Sequence, residues 1–545
     1  MKKYLEKIPH FAWVLAMIVL VGFSLRSYHH HDFLRFNPDQ ARDAALIRDV
    51  IAGKAPIPLL GPQAGGTNFR LGGFFYQIEI ASAKIFGTAP DQLAFPDLFF
   101  SILFIILLYF FLGEFFTKNI SLAVTTVAAV SFYAVKYARF AWNPNSTPFY
   151  ALLFLYAILQ LAKDGQKRKW LWALAIGVAA GIGVQLHSLL LFSLPVVFTV
   201  YFGYLFFKKN NAWKWAPLII LVGLLLNTSQ IISEVRTGGK NTQAFFQGMQ
   251  KKSSRSGNPL AKFILDTTCH VQTNSFILLP IGNDSQCDFI DASINFDKNS
   301  KKSGGAAANT ILLGDIILAV IFSLGGYVFL VRYWRREKDE NKKRFLELTA
   351  LYAGTLFVLL IPLADEISFR FFLVLEFMPF LLLGFWLKYV TEYFAPHKKD
   401  AVNRASTVVP AMIIIILVAT NAYALVRNFS YLSGQTKEGS NGFEEITFGE
   451  VQYMANFIKT HSAGAKNVYL QGKAGELFEI TKSIQYFTDE AGLKVDNLKK
   501  NTVLSPEDKI FSINVAKDPT GKNSAPDKAV AEGKFNRIRI YEVGK

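Results

Sequence analysis

The chain has little cysteine. Its two thiols, Cys269 and Cys287, share one polar stretch of a 545-residue sequence. Two thiols make a poor zinc shell, so the pair reads as a disulfide in an oxidising compartment rather than as a metal site. Charge is sparse as well: Asp, Glu, Lys and Arg make up 18% of the residues, against 51% hydrophobic residues that include 50 Phe. No small-residue cleavage site follows the first apolar run, "FAWVLAMIVLVGFSL" from Phe11, which argues for a retained helix over a removed signal peptide. No internal repeat is found, and the paired halves common among transporters are missing.

What is present comes in blocks. Runs of about 20 apolar residues match a hydrocarbon layer roughly 30 Å thick. After the first they fall near 94–116, 120–137, 147–162, 170–187, 188–207, 215–233, 311–331, 346–363, 371–390 and 408–427, which makes eleven spans. With the N-terminus placed in the cytoplasm, the inner connections hold 22 Lys and Arg, and the short outer ones hold Lys136, Arg139 and Arg370. This is the asymmetry that cytoplasmic loops show. The net charge of +17 is therefore a topology signal, and a nucleic-acid partner is a poor reading of it.

The expected fold class is an all-α polytopic membrane protein with a small extracytoplasmic α/β domain at its end. Residues 1–430 form the transmembrane domain and 431–545 the second domain. Residues 26–93 and 234–310 are outer loops, and Cys269 and Cys287 both fall in the latter. That second loop is rich in Gly, Ser, Asn and Lys, with one amphipathic piece, "PLAKFILDTT"; much of it is expected to be mobile. In the last segment "GEVQYMANFIKTH" reads as a helix, and "NVYLQG", "KIFSINV" and "NRIRIYEV" read as strands.

The first outer loop contains "NPDQARDAALIRDVIAG". Asn37 suits an N-cap, Pro38 the first helical position, and Gly53 a stop. Asp39, Arg42, Asp43, Leu46 and Val50 then share a face, with the two acids at the i, i+4 spacing. On charge pattern alone Asp43 pairs with Arg42, Arg48 or a neighbouring loop, and Asp39 is an acid stabilised by the helix start. Next comes "LGPQAGGTNFRLGGFFYQIEI", a Gly-rich turn leading to an amphipathic stretch at the membrane interface. Three adjacent histidines, His29 to His31, cannot all face one ion and read as interfacial polar residues. "KYARFAWNPN", "GVQLHSLL" and "ADEISFRFFLVLEFMP" bring Arg139, Asn143, Gln185, His187, Arg370 and Glu376 to or near the outer ends of spans, where ionisable groups usually face a cavity.

In this order, "DQARDAALI", "GPQAGGTNFRLGGFFYQ", "ARFAWNPNSTPF", "GIGVQLHSLL" and "FRFFLVLEFMP" resemble the bacterial dolichyl-phosphate-mannose-protein mannosyltransferase-like family, C-type glycosyltransferases that use polyprenyl-phosphate sugars. The resemblance covers roughly residues 10–430. It implies a plasma-membrane enzyme moving a hexose or pentose from a polyprenyl-phosphate donor to an acceptor hydroxyl on a glycan, lipid or protein. It places the catalytic acid on Asp39 and leaves open whether Asp43, the second candidate, shares the role. Gln40 stands where the family commonly has a second acid. It also places donor phosphate contacts on Arg370, Arg139 and Arg70, and a substrate cavity around Gln185, His187, Asn143 and Glu376. Phe371 replaces the usual Tyr after the phosphate-contacting Arg. No cofactor is required, and a divalent metal is not supported by the pattern. Membrane lipids are the expected surroundings. The competing readings are a transporter or lipid flippase, and a non-catalytic membrane scaffold.

Overall fold

The computed structural model describes residues 9–253, 258–280, 287, 313–394, 400–435, 446–472, 474–515, 526 and 528–544. The helical part begins with α1 (His10–Ser27), the re-entry helix α2 (Pro38–Ile51), the strand pair β1 (Leu60–Gln63) and β2 (Arg70–Gly72), and α3 (Phe74–Phe86). Longer helices follow: α4 (Phe95–Leu112), α5 (Lys118–Val130), α6 (Thr147–Ala162), α7 (Lys169–Leu186) and α8 (Ser188–Phe207). Among the described residues, seven helices are long and apolar enough to cross a membrane, or nine if each of two bent pairs is one span. The bends, of 61° and 64°, sit at Asn227 and at Glu376. Two shorter apolar helices, α5 and α6, fall on the blocks near 120 and 147. Each of the eleven blocks thus rests on an apolar helix, and the protein is a multi-pass membrane protein.

The stretch 234–278 departs from expectation. It is helical over Lys240–Ser253 and again over α9 (Pro259–Leu278), so the amphipathic piece extends to twice its expected length. α9 packs against the 313–336 helix and the turn at 361–366. Its buried face carries Asp266, His270, Thr273 and Asn274 together with Cys269 and Phe276. Those polar side chains break the apolar signature that would have marked a packed helix. Cys269 and Cys287 are joined as a disulfide with Cα atoms 5.0 Å apart. The rest of that loop, 288–310, lies outside the described residues.

The last quarter of the chain forms a mixed sheet under two helices. In order come α10 (Phe448–His461), β3 (Asn467–Gln471), α11 (Ala474–Thr488), β4 (Lys494–Asn497), β5 (Lys509–Val515), β6 (Ala529–Phe535) and β7 (Ile538–Val543). The sheet order is β4-β3-β5-β7-β6, with β3 parallel to β4 and β5, and β7 antiparallel to β5 and β6. Val468, Leu470, Phe511, Ile513, Ile538 and Ile540 are all buried, as expected for strands of β-branched and aromatic residues covered by helices. The two-residue turn between β6 and β7 uses Asn536 at φ 48°, a left-handed conformation that Asn tolerates.

This sheet unit is joined to the helical part by an unbroken apolar core. Phe36 is wholly buried, edge-on to Phe448, Tyr486 and Phe487. The Phe36 N–H donates to the Ile446 carbonyl and the Phe448 N–H to the Leu34 carbonyl, at 3.0 and 2.7 Å. Ser483 Oγ donates to the Phe36 carbonyl at 2.9 Å. Within the unit, the Arg537 guanidinium holds the wholly buried Glu450 carboxylate at 2.7 and 3.1 Å and stacks on Tyr431. Removing one partner of such a pair leaves a buried charge uncompensated. Glu450→Gln should therefore destabilise the unit by about 3–5 kcal/mol, seen as a lowered midpoint for the fluorescence of the tyrosines around the sheet.

Candidate active site

The site is built on α2, and its start explains the first surprise in the sequence. Gln40, which replaces an expected acid, folds back so that its Oε1 accepts the Asn37 N–H at 3.1 Å, while its Nε2 donates to the Ala141 carbonyl. It caps the helix and ties it to the α5–α6 connection. The two acids one turn apart then part company. The Asp39 side chain is 61% exposed and that of Asp43 is 5% exposed, because α2 buries the Gln40, Ala41, Asp43, Ala44 and Ile47 side.

Arg42 bridges them. Its Nη1 donates to Asp39 Oδ1 at 2.8 Å, while Nε and Nη2 grip both oxygens of Asp43 at 2.9 and 3.1 Å. Tyr76 Oη, from α3, donates to Asp43 Oδ1 at 2.8 Å. Burial pushes the Asp43 carboxyl up, and the Arg42 contacts pull it back without cancelling that rise. Burial and the facing Asp43 charge also raise the Tyr76 hydroxyl, so it stays a donor. Asp43 is thereby an inner brace, whereas Asp39 is an oriented carboxylate open to a substrate.

Arg70 is presented by the strand pair. Its N–H and carbonyl are both bonded to the Asn241 side-chain amide, at 2.8 and 3.0 Å, and its Nε donates to the Gly61 carbonyl at 2.8 Å. Its terminal nitrogens carry no hydrogen bond or ion pair among the described residues. Two residues on, a Cβ at Gly72 would collide with the Gln185 side chain, so glycine is required. Gln185 is buried; it accepts the Phe74 N–H at 3.2 Å and donates to the Gly181 and Leu226 carbonyls. It therefore fastens the strand pair to the end of α7 and is not open to a ligand.

Just past the end of α7, His187 caps α8 through its Nδ1, and its ring meets Phe371 edge-on. Arg370 is exposed, with its guanidinium over the Phe371 ring at 5.5 Å, and it forms no ion pair among the described residues. The acid that might have held it, Asp365, is paired with Lys262 at 3.2 Å. Asn143 donates to the Leu186 carbonyl at 2.6 Å. Phe371 thus serves both as a cation platform for Arg370 and as a wall for His187.

Two further residues expected at the site are, like Gln185, committed elsewhere. Arg139 is buried and its guanidinium donates to the carbonyls of Leu25, Arg26 and Tyr28 at 3.0, 2.8 and 2.6 Å, closing the C-terminal end of α1. Its donors are spent, which leaves a phosphate little to bind. Glu376 sits at the bend between two helices, lining a small cavity with Ser101, Tyr137 and Asn145. Arg26, buried inside the first span and bonded to Ser101 Oγ and the Ala129 carbonyl, is the cation that faces it. Arg26, Tyr76, Glu79 and Asn241 all escaped the sequence reading. A lone Arg inside an apolar run was the one legible signal among them. Likewise His31 bonds Asp91 at 2.9 Å and Gln452 at 3.3 Å, and His30 the Asp91 carbonyl. His31 thereby links the segment after α1 to the sheet unit; among the described residues no three His, Cys, Asp or Glu side chains cluster to hold an ion.

The fold, a set of apolar helices joined to a sheet unit, is similar to that of two solved structures over most of the chain. ArnT from Cupriavidus metallidurans bound to undecaprenyl phosphate superposes with a TM-score of 0.54 at 12% identity, covering 98% of each chain. An Archaeoglobus fulgidus oligosaccharyltransferase in the apo form gives a TM-score of 0.51 at 14% identity, over 93% of this chain and 70% of its own. Residues 73–232 match the dolichyl-phosphate-mannose-protein mannosyltransferase family model. No curated protein matches the chain by sequence.

The contrast between the two acids is measurable. Tyr76→Phe strips a donor from a buried carboxylate and should cost about 1–3 kcal/mol of stability. Asp39→Asn, at an exposed ion pair, should leave thermal unfolding near that of the wild type.

Proposed function

We propose that the chain is an integral-membrane inverting glycosyltransferase, moving a sugar from a polyprenyl-phosphate donor to an acceptor hydroxyl. The observation that carries this reading is the disposition of charge. An open carboxylate, Asp39, is oriented by Arg42, and two arginines, Arg70 and Arg370, have fork ends without an ion pair among the described residues. Both are anchored from behind, Arg70 by Asn241 and Gly61, and Arg370 by Phe371. A fixed guanidinium suits a phosphate leaving group because it offers paired donors without further ordering.

In the reaction, Asp39 takes the proton from the acceptor hydroxyl as its oxygen attacks the anomeric carbon. The bond to the phosphate oxygen breaks on the opposite face, and charge builds on that phosphate. Arg70 and Arg370 offset it. One displacement inverts the anomeric centre. A phosphate ester is already a good leaving group, so a carboxylate and arginines supply the chemistry the step requires. A transporter or flippase would use the same phosphate contacts, and Asp39 distinguishes them, since transport needs no base at that point.

Transfer of labelled sugar from polyprenyl-phosphate mannose or arabinose by the purified protein is the direct test. Asp39→Asn should reduce transfer by about 10²–10⁴-fold while donor binding persists; full activity in that variant would refute the assignment. Arg370→Lys keeps the charge and loses the planar fork, and should cost at least roughly tenfold, about 1.4 kcal/mol of transition-state stabilisation.

The same reading sets the N-terminus in the cytoplasm and the sheet unit outside, with 1–430 and 431–545 as the two domains. Val503, which is 90% exposed, replaced by Cys should react with an impermeant maleimide in intact cells. A Cys at Lys338 should react only after permeabilisation.

A further inference from the structure

Behind Asp43 lies a third carboxyl group that the reaction above does not use. Glu79 is on α3, one turn beyond Tyr76, and is 2% exposed. Neither of its oxygens has a hydrogen-bond partner. It lines a small cavity together with Asp43 and Gln40, closed by Leu34, Phe36, Ala44, Pro90, Leu93 and Ala141. The cavity is otherwise apolar, and no cation lines it. An ionised carboxylate buried without a partner is costly, and such a group takes up a proton instead.

The charges that meet Glu79 are acidic. Asp43 faces it from α2 and Asp97 from α4. Tyr76 on its own helix is turned to Asp43, and Asp91, in the neighbouring turn, is bonded to His31. Asp97 has its own donors, the Trp142 N–H at 3.0 Å and the Ser146 hydroxyl at 2.5 Å. Burial, with Asp43 and then Asp97 adding to it, holds the Glu79 carboxyl well above the usual carboxylate range.

We propose that Glu79 is a positioning residue of the site, a neutral acid that directs its O–H into the shared cavity toward Asp43. Arg42 divides its donors between inner Asp43 and outer Asp39. A proton on Glu79 keeps a second negative charge from drawing Arg42 inward and so leaves Arg42 in place on Asp39. Loss of that proton at high pH puts a bare charge beside Asp43, Arg42 shifts toward the pair, and Asp39 loses its orientation. Glu79 then sets the alkaline limit of transfer. The inference rests on Asp39 acting as the base, so one arm of the test does not depend on activity.

That arm is an infrared titration of the full-length protein in vesicles. The wild type should show a protonated-carboxyl stretch that persists above neutrality, that is lost in Glu79→Gln, and that shifts in frequency in Asp43→Asn. A spectrum unchanged by Glu79→Gln would overturn the proposal. A band lost in Glu79→Gln but unmoved by Asp43→Asn would overturn the link to Asp43. The second arm is turnover against pH. Glu79→Ala should lower kcat about tenfold with the donor KM unchanged, and Gln should recover most of that loss. From about pH 7 to about pH 9, the Gln variant should keep at least roughly threefold more of its own activity than the wild type keeps. Equal alkaline limbs would overturn the role assigned to Glu79. Should Asp39→Asn stay active while the infrared result holds, the base assignment fails and the buried acid stands.

Discussion

A carboxylate taken out of water has to be held, and the way Asp43 is held organises the rest of the site. Its oxygens receive two donors from Arg42 and one from Tyr76, which fixes α2 against α3 and fixes the guanidinium in space. Only because Arg42 is so fixed does its remaining nitrogen hold Asp39 in a set direction. The inner acid contributes through geometry and charge, and the outer acid is left open to solvent. An exposed Asp–Arg pair with no such backing would wander among rotamers and be worth little.

The membrane part supplies a second kind of fixing. Arg70 is bonded at its backbone and at Nε, with its terminal nitrogens left open among the described residues. The side-chain amide of Asn241 reaches back 171 residues to the backbone of Arg70, and Gln185 pins the same strand pair to α7. Arg139 shows the opposite outcome. Both of its terminal nitrogens close a helix end, so a basic residue at the rim of a span is no guide to ligand binding until its partners are known.

Much of this was legible in the sequence, and what was not has identifiable causes. The apolar blocks gave the helices, because a membrane demands long apolar runs and little else produces them. Asn37 and Pro38 announced α2, and three strands of the sheet unit showed their alternation. The i, i+4 spacing put Asp39 and Asp43 together, but spacing alone cannot say where along a helix the buried face begins. Tyr76 lies 33 residues from its partner, and nothing local marks the pair. Only the first half of α9, "PLAKFILDTT", stands out as amphipathic in the sequence, because the second half buries His270, Thr273 and Asn274, an inversion of the usual pattern. Gln40 looked like a missing acid and is a cap.

The contacts between α2 and the sheet unit also order events in time. Arg48 lies across the Tyr486 ring and donates to the Tyr486 carbonyl and to Glu490, 438 and 442 residues further along. Phe36 waits in the same way for Phe448 and Phe487. The helix that bears Asp39 is therefore synthesised long before these packing partners. Until they arrive, Arg48 and Phe36 lack their cover, while Asp43 already has Tyr76 and Arg42. A chain cut short before residue 446 would carry the membrane helices and still lack these contacts on α2, so the full packing of that helix is completed only once the sheet unit has been made.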